Sequence, residues 1–123
     1  MILADTSIWI ELLGGRLQPP EDLRPMTTCA PVIQEVLQGL RPGSASEVFR
    51  EAFLALPILS NPVSLDLYLA AADIYRQGRR KGITIRSGVD CLIAAIAIHN
   101  RVPVWHRDRD FDSIATYTAL DVF

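Results

Sequence analysis

Short apolar runs alternate along this chain with stretches of helical periodicity. Residues 1–4 are an apolar run that Asp5 stops; Thr6 and Ser7 follow, and Ile8, Trp9, Leu12 and Leu13 recur at helical spacing into Gly14. That order predicts a buried strand, a sharp turn and a helix. Met26–Cys29 is a second strand candidate. Pro31 suits the first position of a helix, with Val32, Ile33, Val36, Leu37 and Leu40 as its stripe and Gly39 marking its end. Ser44 and Glu47 have capping-box spacing and open a helix through about Leu54. Ile58 and Leu59 form a short strand after Pro57. Ser64 is placed to cap a longer helix whose apolar side holds Leu65, Leu67, Tyr68, Ala71, Ala72 and Tyr75. Residues 83–85 suit either a strand or a loop. Residues 87–90 open the most hydrophobic helix, which ends near Asn100. Residues 102–105 are the next strand, and a short helical turn at Ile114 and Ala115 precedes a last strand at 120–123.

This alternation predicts a mainly parallel α/β sheet with helices on both faces and right-handed crossovers. A length of 123 residues suits one domain over residues 1–123. Half of the residues are hydrophobic, which argues against disorder. The apolar N-terminus carries Asp5 and Glu11 and lacks a basic leader, unlike a signal peptide. No apolar run approaches the roughly 20 residues of a membrane span. Cys29 and Cys91 lie in apolar surroundings and read as buried free thiols, so a cytoplasmic location is expected.

Charge adds one feature. The net value of −2 weighs against a purely electrostatic nucleic-acid binder. Yet Arg76, Arg79, Arg80, Lys81 and Arg86 cluster within eleven positions. Such a cluster complements a helix C-terminus or offers a landing site for phosphates.

The acids carry the chemistry. Asp5 follows the first strand, Glu35 lies early in the helix after the second, Asp90 opens the apolar helix, and Asp108 lies just past the strand at 102–105. Each has an ordinary local explanation as a cap, a solvated carboxylate or a dipole partner. In a doubly wound sheet, however, all of these places share one edge, where ligands bind. Clustered carboxylates repel and raise one another's pKa. A divalent cation relieves that conflict, and an all-oxygen donor set points to Mg²⁺ or Mn²⁺. The acidic run at 108–112 also suggests an EF-hand loop, but Ser113 stands where that loop needs glycine and Ala119 where it needs glutamate. Asp110 and Asp112 read instead as the start of the short helix, with Asp110 a candidate to support the acids from behind.

The Asp5-Thr-Ser-Ile-Trp-Ile segment, Glu35 within Pro31–Gly39, Val89-Asp-Cys-Leu-Ile-Ala-Ala, and Asp108-Arg-Asp-Phe resemble PIN-domain ribonucleases, and among them the VapC toxins of toxin–antitoxin pairs. The resemblance spans essentially the whole chain, with the motifs in order. It implies a PIN-like three-layer α/β/α sandwich and a Mg²⁺- or Mn²⁺-dependent endoribonuclease that cleaves structured RNA, such as tRNA or rRNA, by metal-activated water. It also implies a homodimer and a VapB-type antitoxin partner. By position, Asp5, Glu35, Asp90 and Asp108 carry over as catalytic metal ligands, and Ser7 as a nearby polar group for water or the substrate phosphate. Arg79, Arg80 and Arg86 are expected to hold the RNA backbone. His106 stands where the family usually has threonine or serine; a local polar or phosphate-contacting place is expected for it rather than metal ligation. An apolar surface over Leu12, Leu13, Val36, Leu37, Leu40, Phe49 and Phe53 is a candidate groove for the antitoxin, or ordinary core.

Alternatives are a PIN-family RNA-processing nuclease outside toxin–antitoxin systems, a binding module of the same fold, and a receiver-like domain. The last fits poorly, because Asp5 has no acidic neighbour and Lys81 is the sole lysine.

Overall fold

The structure, a computed structural model, describes residues 1–21 and 25–123. In chain order its elements are β1 (Ile2–Ala4), α1 (Thr6–Leu13), β2 (Met26–Cys29), α2 (Ala30–Gln38), α3 (Ser44–Leu54), β3 (Ile58–Leu59), α4 (Leu65–Arg80), α5 (Gly88–Asn100), β4 (Val104–Trp105) and α6 (Arg109–Ala115). The strands form one sheet in the order β3-β2-β1-β4, and every pairing among the described residues is parallel. Helices cover both faces, giving a three-layer α/β/α sandwich.

The hydrophobic pattern explains the layering. β1 has a neighbour on either side and no exposed residue, so its apolar run is unbroken. α5 is apolar on nearly all sides, and Asp90 through Ala97 are buried. It is therefore the central helix, and α4 packs along it with the stripe Leu67, Ala71 and Ile74. α5 ends at Arg101, which takes a left-handed conformation with φ 55°. Trp9 of α1 meets Phe53 of α3 edge-on at 4.8 Å between ring centroids, which ties the first crossover to the third helix.

Three local expectations shift. The helix expected from a Ser44 capping box does begin at Ser44, but Gly43 is the cap residue, at φ 146°, and no side chain caps it. Residues 83–85 are a loop, and Ile85 is buried there. The last strand shortens to a single parallel bridge between Val122 and Val104.

The C-terminal end of α4 is held by close packing. Tyr117 donates its hydroxyl to the Ile74 carbonyl at 2.8 Å. A Cβ at Gly78 would lie 2.7 Å from that same hydroxyl oxygen and 3.1 Å from the Ile83 carbonyl. Glycine is needed there for close approach. Gly78→Ala is expected to destabilise the chain by about 1–2 kcal/mol, overpacking outweighing the gain in helix propensity. Urea denaturation would measure it, and a stabilised variant would refute the close-packing account.

Candidate metal centre

All the strands point the same way, so their carboxyl ends share one edge of the sheet. Asp5 is the first residue past β1, and its N–H donates to the Trp105 carbonyl at 2.9 Å, stitching β1 to β4 at that edge. Its side chain caps α1, accepting the Ser7 N–H at 3.3 Å and the Ser7 hydroxyl at 2.8 Å. Ser7 Oγ in turn accepts the Arg107 N–H at 3.2 Å. The capping explanation of Asp5 is thus correct, and the same geometry buries its carboxylate at the ligand edge, 4 % exposed.

Asp90 enters from the first turn of α5, also buried. Asp108 caps α6 by accepting the Asp110 N–H at 2.9 Å. Carboxylate oxygens of Asp90, Asp108 and Asp110 lie within 4.8 Å of one another. Asp5 is near enough to act on Asp90 electrostatically. Glu35 stands at the side of this group on α2, half-buried, and accepts the Thr6 hydroxyl at 3.1 Å. The tightest trio therefore includes Asp110, which sequence reasoning placed behind the others, while Asp5 and Glu35 flank it. Thr6 was missed; its position beside Asp5 was visible, but its bond to Glu35 spans 29 residues and leaves no local signal.

The electrostatics follow from burial. Asp90 is pushed from its ordinary 3.8 up to about 8, first by burial, then by the charges of Asp5 and Asp108, a hydrogen bond with Asp108, and Asp110. Asp108 moves the other way. Burial pushes it up, but the Asp110 N–H, the hydrogen bond from Asp90 and the Arg86 guanidinium together hold it below the usual carboxylate range. Burial and its acidic neighbours thus favour the protonated form of Asp90, while Asp108 favours the charged form. Burial also pushes the Cys29 thiol up to about 12 and Cys91 to about 11, so both stay neutral.

The groups expected to meet substrate divide in two. Arg79 and Arg80, with Arg76, line an open surface hollow of about 330 Å³ at the end of α4. Arg86 instead reaches into the acids, 3.0 Å from Asp108 Oδ1. His106 is enclosed, its side chain 6 % exposed and its ring 5.2 Å from that of Phe111. Its Nδ1 accepts the Asp108 N–H at 3.1 Å, and its Nε2 lies 3.3 Å from Asp112.

A match to the PIN domain family covers residues 2–117. The chain belongs to the PIN-domain family, in its VapC branch. Ribonuclease VapC11 of Mycobacterium tuberculosis is 39 % identical over 98 % of this chain and 96 % of its own length. Among solved structures, VapBC-1 of nontypeable Haemophilus influenzae matches with a TM-score of 0.75 at 17 % identity, covering 100 % of this chain and 97 % of that one. VapBC-5 of Mycobacterium tuberculosis matches with a TM-score of 0.74 at 22 % identity, covering 99 % and 96 %. At those identities the structures establish the shared fold.

The donor set of this PIN domain fits a hard divalent cation. It is all oxygen, Asp5, Asp90 and Asp110 are buried, and the oxygens of Asp90, Asp108 and Asp110, all within 4.8 Å, are compatible with the roughly 3–4 Å separations of oxygens around such an ion. Asp90 also provides a test through pH. Its folded pKa exceeds its unfolded one, so between the two the folded chain binds more protons. The contribution of Asp90 to stability then falls as pH rises from about 4 through about 8. In the presence of chelator, wild type is expected to lose stability over that range more steeply than Asp90→Asn, which cannot titrate. Mn²⁺ should lessen the wild-type loss by taking the proton's place. Denaturation midpoints across a pH series give the slopes, and equal slopes would disprove the raised pKa.

Proposed function

We propose that this PIN domain is the endoribonuclease toxin of a type II toxin–antitoxin pair, acting in the cytoplasm on structured RNA such as tRNA or rRNA. The observation that carries this reading is the carboxylate cluster, in which oxygens of Asp90, Asp108 and Asp110 lie within 4.8 Å of one another with Asp90 and Asp110 buried. Asp5, Asp90, Glu35 and Asp108 would hold Mg²⁺ or Mn²⁺. A bound ion supplies Lewis acidity toward water and phosphate and neutralises developing negative charge.

The chain's own groups do the rest. Ser7 orients Asp5 through its hydroxyl, and Thr6 orients Glu35. Asp110 secures the turn that presents Asp108. Arg79 and Arg80, helped by Arg76, hold the RNA backbone beside the centre as point contacts to phosphate. Asp90→Asn is expected to keep the fold and lower RNA cleavage roughly 100-fold or more. Sequencing RNA 5′ ends in cells before and after induction reads this out: new ends with wild type and none with the variant. Undiminished cleavage by Asp90→Asn would remove the acid centre from the chemistry.

Two surfaces suit protein partners. A groove of about 600 Å³ between α1 and α2 is lined by Ile10, Leu13, Val36 and Leu40 and reaches Glu35. A VapB-type antitoxin seated there would lie against the acid centre. Of the apolar residues expected to offer such a surface, Phe53 and Val36 are core, with Leu12, Leu37 and Phe49 packed against it, whereas Leu13 is 46 % exposed. On α4, Leu65, Tyr68 and Leu69 are 72 %, 53 % and 55 % exposed along one stripe, next to exposed Val89 of α5. That stripe is the proposed homodimer contact. Acids at Asp66 and Asp73 and bases at Arg76, Arg79 and Arg80 would then complement each other in an antiparallel pair. Leu69→Glu is expected to weaken dimerisation about tenfold or more without unfolding the chain. Light scattering with size exclusion measures it, and an unaltered dimer would exclude this face.

A further inference from the structure

Arg86 approaches the acids from the loop between α4 and α5. Its backbone N–H donates to Asp110 Oδ2 at 3.1 Å, and its Nε reaches the same oxygen at 3.4 Å. Its Nη2 lies 3.0 Å from Asp108 Oδ1, an oxygen that also accepts the Asp110 N–H at 2.9 Å. One oxygen of each acid is therefore already filled by two donors. The other side of the cluster is different. Among the described residues neither Asp5 nor Asp90 has an ion pair, and Asp108 faces Asp90 as well as Arg86.

We propose that Arg86 takes the second-cation position of this centre, so that the chain binds a single divalent ion on the Asp5–Asp90 side. This rests on the reading of the acids as a metal site and specifies its stoichiometry. In two-metal phosphodiesterases the ions sit about 3.5–4 Å apart and clamp the attacking and leaving oxygens from opposite sides. Here a guanidinium already contacts both Asp108 and Asp110, and a second ion would have to displace it from both. Arginine is a fixed positive charge at any working pH, and its planar fork suits carboxylates and phosphates alike. The side chain is 58 % exposed, so the donors not spent on the acids face solvent, where a phosphate would arrive. Arg86 would then meet a substrate phosphate as a fixed cation, while an ion held on the other side would supply Lewis acidity toward water.

The difference shows in binding, apart from catalysis. Mn²⁺ is titrated into the purified full chain by calorimetry and by electron paramagnetic resonance, for wild type, Arg86→Gln and Arg86→Lys, with circular dichroism to check the fold. The expected result is one Mn²⁺ per chain for wild type and for Arg86→Lys, and a second, magnetically coupled Mn²⁺ for Arg86→Gln. A coupled pair in wild type would overturn the proposal while leaving the metal centre in place. Arg86→Gln remaining at one ion would overturn it as well. No Mn²⁺ binding by wild type would remove both this proposal and the metal reading beneath it. Should Arg86→Gln fail to fold, the wild-type stoichiometry still decides: one ion supports the proposal and two refute it.

Discussion

Several carboxylates are buried at one sheet edge with too little positive charge to balance them, and the fold is arranged around that conflict. Asp5, Asp90 and Asp110 are each at most 7 % exposed. Packed together, they cannot all ionise without a counter-charge. The chain meets this in three ways. Asp90 retains a proton, Arg86 pairs with Asp108 and Asp110, and backbone N–H groups at helix starts point at Asp5 and Asp108. The remaining imbalance suits the cluster to a cation, because an ion that replaced the Asp90 proton would relieve repulsion that folding alone leaves in place.

The scaffold supplies the precision this requires. Asp5 and Asp108 are caps, so their side chains are held by the same hydrogen bonds that begin α1 and α6. Asp90 is on the first turn of a helix enclosed on nearly every side. A carboxylate on a rigid, buried element has little freedom to move away from its neighbours. Burial keeps the thiols of Cys29 and Cys91 protonated, so neither adds negative charge to the cluster. The positive residues expected to meet RNA lie instead on the exposed end of α4, where solvent lets long side chains adapt to a backbone.

Most of this architecture was legible because the signals were local. Unbroken apolar runs marked β1 and β3, a short run rich in strand-favouring threonine marked β2, helical spacing marked α1, α2 and α4, and a long apolar run marked α5. The acids could be gathered at one edge because each followed a strand or opened a helix, and parallel topology brings such places together. What was hidden depended on distance in sequence. Thr6 meets Glu35 across 29 residues, and Arg86 meets Asp108 across 22. Arg86 looked like one more member of a phosphate-binding cluster; nothing in the spacing told that it alone turns inward while Arg79 and Arg80 stay outside. The apolar residues of α1 to α3 were ambiguous for the opposite reason. Core and docking surface draw on the same residue types, so the division between Phe53 inside and Leu13 outside required packing.

His106 shows how a departure from a family pattern can preserve its physics. A threonine or serine at this place has a hydroxyl able to accept a backbone N–H two residues on, a common way to hold a turn. His106 makes that bond through Nδ1, to the N–H of Asp108. That leaves Nε2 as the protonated nitrogen, 3.3 Å from the Asp112 carboxylate. The ring packs on Phe111, so an imidazole too large for a tight turn becomes part of the core under α6. Nδ1 is thereby occupied, and the enclosed ring has little freedom to turn toward a metal or a phosphate. The substitution therefore leaves the centre an oxygen site, and its effect falls on how firmly Asp108 is held.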